Sequence, residues 1–322
     1  MQPYIIKALQ DIEYAYFNNT KLFKTLLDNR IVMDGRFQQL TVSDCVTVQV
    51  AVRHPTIKNF QFDIIDTWVL DAIGSLYDNG IFYFTADMII KMVYQDIHHR
   101  VSAETKQKFQ QRIDVLLGLQ IRLNIDDDCV TRGSEPKDPR FKKKQYNPLL
   151  PMEPIDAAFS SNGKQGCGYH LRQSPLLWEY AKFTKQIISC PFDAFSFAKQ
   201  NITLETLSIL RYVYRRIATM KNANNNSYSR KISLYRTENQ VSKGLLPACN
   251  IDPSNFKNWN DKHRKIRLLI EAFLDHLKSA DDKKLRIKGY EYYNTNNGEG
   301  YRIVLYSQSN KFYKKKENHF YA

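Results

Sequence analysis

The chain has 322 residues, which at roughly 150 residues per domain suggests about two domains. Its 43% hydrophobic and 25% charged residues are ordinary globular values and exclude wholesale disorder, a collagen-like chain and a coiled-coil rod. The net charge of +14 is unevenly spread: residues 1–150 hold 19 basic and 18 acidic side chains, net +1, and residues 151–322 hold 28 and 15, net +13. A concentrated basic field attracts polyanions such as nucleic acid, acidic proteins or an anionic membrane face, and charge alone does not choose among them.

No apolar run reaches the roughly 18 residues needed to cross a bilayer. The opening MQPYIIKALQDIEYAYF carries acids and aromatics where a secretory signal needs a basic start and a continuous apolar stretch, so a cytoplasmic location is expected. The cysteines Cys45, Cys129, Cys167, Cys190 and Cys249 form an odd set without a C-x-x-C pair, which argues against a disulfide framework and a zinc module.

In chain order, the apolar spacing of Ile5, Ile6, Leu9, Ile12, Tyr16, Leu22, Phe23, Leu26 and Leu27 predicts one or two amphipathic helices over residues 4–28. Val46, Val48, Val50 and Val52 alternate with polar or small residues, as in a half-buried strand ended by His54-Pro55. Asp66 to Asp78 reads as a helix stopped by Asn79-Gly80. Thr85 is placed to cap a second helix and Ser102 a third, which runs to Leu117 with Phe109, Ile113, Leu116 and Leu117 inward. A strand (LQIRLNID), a basic loop ending RFKKK, and the strand candidates LLPMEPIDAAF and GYHLR follow. Three helices and then a small sheet with a basic loop is the order of a winged helix.

Leu176 to Ser189 reads as a connecting helix, after which the pattern recurs. Thr203 caps a helix with Leu204, Leu207, Leu210, Val213, Tyr214 and Ile217 inward; KISLYR is a strand; Glu238 to Leu246 is a short helix. Asp252-Pro253 opens a long helix to about Ser279, and LRIKGYEYY with GYRIVLY forms a hairpin around NTNNGE. The expected fold is therefore α+β and mostly helical, with two tandem winged-helix domains, β-hairpin wings and an amino-terminal helix and strand extension. The boundaries are 1–58 for the extension, 59–173 for the first domain, 174–202 for the connector, 203–308 for the second domain and 309–322 for a basic tail.

A helical wheel of the long second helix puts Ile266, Ile270, Phe273 and Leu277 within about 40° of Trp259, the predicted buried face. Lys257, Asn258, Asn260, Asp261, Arg264 and Lys265 lie about 100° or more away, near the amino-terminal end. Arg and Lys reach guanine O6 and N7, Asn pairs with adenine, and Asp accepts from cytosine N4; recognition helices contact base edges with this end. The hairpin adds Lys283, Lys284, Arg286, Lys288 and Arg302. The corresponding first-domain helix presents Glu104, Gln107, Lys108, Gln110 and Gln111 outward with Lys106 and Arg112 on its flanks, a second candidate reader. Arg140, Lys142, Lys143 and Lys144 would make a wing-like phosphate contact, and KFYKKK in the tail a backbone clamp.

Catalytic constellations are poor. Asp126-Asp127-Asp128 at a strand end point to different faces, His98-His99 lacks the alternation that sets two metal ligands on one strand face, and Cys167 with His170 has no identifiable third member. No P-loop is present. Neither catalysis nor a cofactor is expected.

The stretches IIDTWVLDAIGSLYDNGIFYFTADMI, SPLLWEY and NFKNWNDKHRKIRLLIEAFLDHL resemble the tandem winged-helix replication initiators of theta-replicating plasmids and related mobile elements, over roughly residues 60–306. The resemblance implies a non-enzymatic protein that binds repeated origin sequences in double-stranded DNA, opens the origin and recruits a host helicase or helicase loader. It also implies a first domain that mediates homodimerisation. A winged-helix transcriptional regulator and a relaxase- or integrase-type enzyme are the alternatives from other classes.

Overall fold

The computed structural model describes residues 7–32, 37–44, 46–52, 59–125, 146–157, 166–197, 202–221, 230–238, 241–279, 287–296 and 298–305. The chain divides into two compact units, Met1–Ser196 and Phe197–Ala322, and both mix helices with antiparallel sheet.

The first unit is organised around one helix. Strand β1 (Tyr14–Asn18) and helix α1 (Lys21–Asp28) lead through β2 (Arg30–Val32), β3 (Gln38–Ser43), β4 (Val46–Val52) and β5 (Asn59–Gln61) to α2 (Ile64–Asp78). Residues Ile65 to Leu76 of α2 are all buried, so this helix has no solvent face along most of its length. Its polar residues are consequently spent internally. The Asp71 carboxylate accepts the Asn18 N–H at 2.8 Å and the Ser75 hydroxyl accepts the Tyr16 N–H at 2.9 Å, which hang β1 on the helix. A Cβ at Gly74 would lie 2.3 Å from the Trp178 ring, so only glycine admits that indole.

After α2 come β6 (Tyr83–Phe84), α3 (Ala86–Tyr94) and α4 (Ala103–Leu117), then β7 (Leu119–Ile125), β8 (Asn147–Pro148), β9 (Met152–Ala157), β10 (Gly166–Leu171), α5 (Leu176–Phe183) and β11 (Ile187–Pro191). Thr85 and Ser102 cap α3 and α4, accepting from the Met88 and Thr105 N–H groups. Gly80 holds φ +74 after α2, the left-handed stop expected of Asn79-Gly80. The three-stranded sheet has the order β6-β10-β9, so the strand that follows α2 lies beside the last strand of the set.

Three readings of this unit need correction, each because the deciding partner is distant in sequence. Residues 14–18 form a strand, not part of a helix, since they pair antiparallel with β11 from Tyr14↔Pro191 to Asn18↔Ile187. For the same reason the connecting helix ends at Phe183: Lys185 takes φ 55 and Ile187–Pro191 returns as the partner of β1. Strand β7 does not join the small sheet. It pairs along its whole length with β4, Val46↔Ile125 to Val52↔Leu119, in a sheet of order β3-β4-β7-β8, so the described strands β3 and β4 of segment 1–58 are built into the first unit.

The second unit repeats the element order with fewer additions. Helix α6 (Leu204–Lys221) is followed by β12 (Lys231–Glu238), β13 (Val241–Lys243), the short α7 (Leu245–Ala248), α8 (Trp259–Ser279), β14 (Ile287–Thr295) and β15 (Gly298–Leu305). The sheet order is β13-β12-β15-β14, again with the strand after the first helix beside the last strand. The core joins Leu207, Leu210, Val213 and Ile217 of α6 to Ile266, Ile270, Phe273 and Leu277 of α8, with Ile232, Leu234, Tyr301 and Ile303 from the sheet. Two boundaries differ from the sequence reading. Residues 241–243 extend as a strand pairing with the end of β12, and only Leu245–Ala248 are helical, after Gly244 at φ +124. Asp252-Pro253 opens a single 3-10 turn to Asn255, and α8 begins at Trp259.

Helices α2 and α4 are clamped by a buried ion pair. The Asp63 and Asp66 side chains form a reciprocal cap at the start of α2, and the fully buried Asp66 carboxylate also takes two hydrogen bonds from the Arg112 guanidinium, Nε at 2.7 Å and Nη2 on the other oxygen. Arg112 donates further to the Gln61 carbonyl at 3.1 Å and lies over the Phe60 ring at 5.2 Å. Burial lifts the Asp66 carboxyl above the ordinary carboxylate range against the pull of Arg112. Burial also opposes the charge on Arg112, yet Asp66 holds its guanidinium above the usual value. Asp66→Asn should cost about 3 kcal/mol, because it leaves a largely buried guanidinium without its counter-charge. The paired change Asp66→Leu with Arg112→Met should recover part of that loss in urea unfolding; a loss under about 0.5 kcal/mol for Asp66→Asn would show that the pair is not the clamp.

Candidate nucleic-acid interface

Helix α8 presents three functionally different faces. Asn258 caps it, its side-chain oxygen accepting the Asp261 N–H at 3.2 Å. Ile266, Ile270, Phe273 and Leu277 are buried. About 170° to 210° away around the wheel stand Arg264 and Leu268, both exposed, with Asn260 and the half-buried Asp261 beside them and the exposed Lys257 just before the cap. Asp261 accepts from Arg264 at 2.9 Å and Lys265 at 2.7 Å, while those two side chains remain 69% and 67% exposed. The Lys265 and Arg264 hydrogen bonds hold the Asp261 carboxyl below the usual carboxylate range. Surface pairs of this kind are worth little and exchange readily for another anion. The amino-terminal half of α8 therefore presents cations and carboxamide or carboxylate groups in one tract, with the Asn258 oxygen already used by the cap.

The third face ties the helix to the hairpin. His263 Nε2 lies 2.6 Å from a Glu299 oxygen, and the Tyr292 hydroxyl donates to the other oxygen of Glu299 at 2.8 Å. One turn on, the Arg267 guanidinium stacks 3.7 Å from the centre of the Tyr292 ring and pairs with Glu271 at 3.6 Å. The Tyr301 hydroxyl donates to Glu271 at 2.9 Å, and burial pushes that phenol well above its usual range. Residues 263, 267 and 271 are i, i+4 and i+8, one stripe of the helix. Lys262 turns away from solvent, 2.5 Å from Glu205 on α6 and 5.0 Å from the Phe256 ring.

Trp259 does not belong to the buried stripe. It is half-buried, 6.0 Å from the Phe256 ring and 5.5 Å from the His263 ring. The wheel angle matches the core residues, but the first turn projects past the core, and the indole lines an open cavity of about 1190 Å³ with Tyr235, Asn250, Asn294 and Asn296.

On the hairpin, Lys288 is exposed and Arg302 pairs with Glu291 at 3.4 Å. Lys283, Lys284 and Arg286 lie outside the described residues, as do Arg140, Lys142, Lys143 and Lys144, the Asp126-Asp127-Asp128 run and the KFYKKK tail.

The first-unit helix α4 divides its polar residues differently. Glu104, Gln107, Lys108 and Gln111 are exposed, and Lys106 pairs with Asp87 at 2.8 Å. Gln110 is half-buried, its amide donating to Asp114 at 2.9 Å and to the Tyr169 hydroxyl of β10. Gln110 thus fastens the helix to the small sheet, and Arg112 to α2, leaving Glu104, Gln107, Lys108 and Gln111 as the outward residues. His99 stacks on Tyr94 at 3.8 Å. His170 stacks on Tyr83 and meets Glu153 at 3.3 Å, while Cys167, three residues away on the same strand, belongs to the opposite face. Among the described residues no three His, Cys, Asp or Glu side chains could hold a metal, and no helix is long and apolar enough to cross a membrane.

Sequence reasoning missed Arg267, His263 and Leu268. The wheel that turned Arg264 outward also places Leu268 about 40° from it, a signal that was there to be read. The Glu299 and Tyr292 partners needed the hairpin register, Tyr292↔Tyr301 and Asn294↔Glu299.

No family model matches the chain, and no curated protein matches it. Among solved structures, the chain is similar to a crystal structure of RctB domains 2-3, residues 155–483, with a TM-score of 0.40 and 12% identity over 87% of this chain and 96% of that one. A second, selenomethionine form of domains 2 and 3 of RctB gives a TM-score of 0.37 and 12% identity over 90% and 100%.

The geometry makes His263 a strut between helix and hairpin. His263→Ala should lower stability by about 2 kcal/mol, the net worth of a hydrogen bond to a charged partner. Amide exchange should accelerate first at residues 291–300. Unchanged protection there would show that Glu299 is held by Tyr292 alone.

Proposed function

We propose that the chain is a non-enzymatic, sequence-specific binder of double-stranded DNA, built from two tandem winged-helix domains, that acts as a replication initiator of a plasmid or mobile element. The observation that carries the reading is the division of α8: one stripe buried, one stripe fastened to the hairpin, and the remaining stripe of Lys257, Asn260, Asp261 and Arg264 turned outward at the amino-terminal end. A helix held on two sides offers a rigid third side, and these residue types match the donor and acceptor pattern of base edges in a major groove.

The winged-helix reading is supported by the doubled order of helix, strand, helix, helix and hairpin, with sheet orders β6-β10-β9 and β12-β15-β14. In the second unit α8 is the reader, and the positive excess of residues 151–322 supplies phosphate attraction. In the first unit α4 is the weaker reader through Gln107, Lys108 and Gln111. The role in replication is supported by the resemblance of the opening helix pair, the connector and the α8 segment to plasmid initiators. A homodimer and a host helicase or helicase loader are the partners that the resemblance adds.

The test is selection of bound duplexes from a random pool by the full-length protein, followed by location of the recovered site. Direct repeats on one replicon are expected; sites scattered upstream of many genes would make the protein a transcriptional regulator. With about six phosphates neutralised, the log-log salt slope should be near about −5 without nucleotide or metal. Cleavage of the DNA or a covalent adduct would make it an enzyme. Arg264→Ala should cost roughly 1 to 3 kcal/mol on the selected site and relax discrimination at one or two base pairs. Equal losses on selected and random duplexes would reduce Arg264 to a phosphate contact.

A further inference from the structure

The outward face of α8 holds one side chain that charge does not explain. Leu268 is 53% exposed, more than any other large apolar residue among those described. It is not a fringe of the core, since Ile266, Ile270, Phe273 and Leu277 are centred about 170° from it and are buried. It continues the line of Asp261 and Arg264 by one further turn, with Lys265 three residues before it and exposed Ala272 four residues after it. A single exposed leucine is ordinary on a protein surface; one in register with a tract of base-matching side chains has a defined chemical counterpart. In the major groove the apolar group offered by a base edge is the 5-methyl of thymine.

We propose that Leu268 packs against a thymine methyl in the DNA major groove and thereby sets one thymine in the target sequence. One helical turn advances about 5.4 Å along α8 and one base pair about 3.4 Å along the duplex. The thymine therefore lies one or two base pairs from the pair contacted by Arg264. This inference rests on the reading of α8 as the DNA reader.

The experiment uses the full-length protein and its selected duplex, with each thymine replaced singly by deoxyuridine, which removes only the methyl. Wild type, Leu268→Ala and Leu268→Met are titrated against the series. At one position the wild type should lose about fourfold in affinity, the fold-change of burying one methyl-sized group. Leu268→Ala should be indifferent to that same replacement, and Leu268→Met should keep part of the discrimination. Because the side chain is exposed, both variants should melt as the wild type does. Specific binding with no uridine-sensitive position overturns the proposal, and so does a uridine effect of the same size in Leu268→Ala. A Leu268→Ala protein that changes its assembly state and keeps full methyl discrimination would assign the residue to a protein contact and also overturn it. Failure of the wild type to select any duplex would instead overturn the reading of α8 itself.

Discussion

In each unit an acidic residue in the first turn of the helix that opens the repeated element order, α2 or α6, grips a basic residue of the candidate reader helix. Asp66 holds Arg112 in the first unit and Glu205 holds Lys262 in the second. These pairs sit where a helix amino terminus already favours negative charge. Their consequence is orientational: a pair that withdraws charge from water is favourable only in good geometry, so it adds a directional restraint to the non-directional apolar packing of the helix. The outward face of α4 or α8 is defined by what its other faces are fastened to, so these pairs set which residues remain for a partner.

The two units make that choice with different strictness. Asp66 is fully buried and takes two guanidinium hydrogen bonds, and Gln110 adds a tie to Tyr169, so α4 gives up two of its longer polar side chains to architecture. Helix α8 uses a half-exposed pair and places its second restraint on the hairpin, through His263, Arg267 and Glu271. Its Arg264 and Lys265 stay exposed, held only by the neighbouring Asp261. Exposed intrahelical pairs of this kind dissolve cheaply, which suits the exchange of a carboxylate for a base edge or a phosphate that the proposed function asks of them. Structural and functional charge are thus distinguished by burial rather than by residue type.

Sequence periodicity made much of this legible. The caps at Thr85, Ser102 and Thr203, the glycine stop at Gly80, the core stripes of α4, α6 and α8 and the alternation of β4 are local consequences of backbone geometry, and each is written within about four residues of where it acts. The outward residues Arg264 and Lys265 followed from the same 3.6-residue period. The charge asymmetry between the halves is likewise a property of composition.

Tertiary structure alone decided everything that depends on a distant partner. The segment YAYFN is a strand because Ile187–Pro191 pairs with it and α2 offers Asp71 and Ser75 to its backbone; its apolar spacing also suits a helix, and no local rule separates the two. Strand β7 belongs with β4 and not with the small sheet because seven residue pairs join them across some seventy positions of chain. Trp259 has the wheel angle of a core residue and the surroundings of a cavity wall. Gln110 and Gln111 are adjacent and chemically identical, yet one is tied to Tyr169 and the other faces solvent. The sequence by itself determined the capped, strongly periodic helices and where positive charge accumulates, because those follow from local periodicity and composition. Which strands pair and which polar side chains stay free for a partner was settled only by long-range packing, which local spacing does not encode.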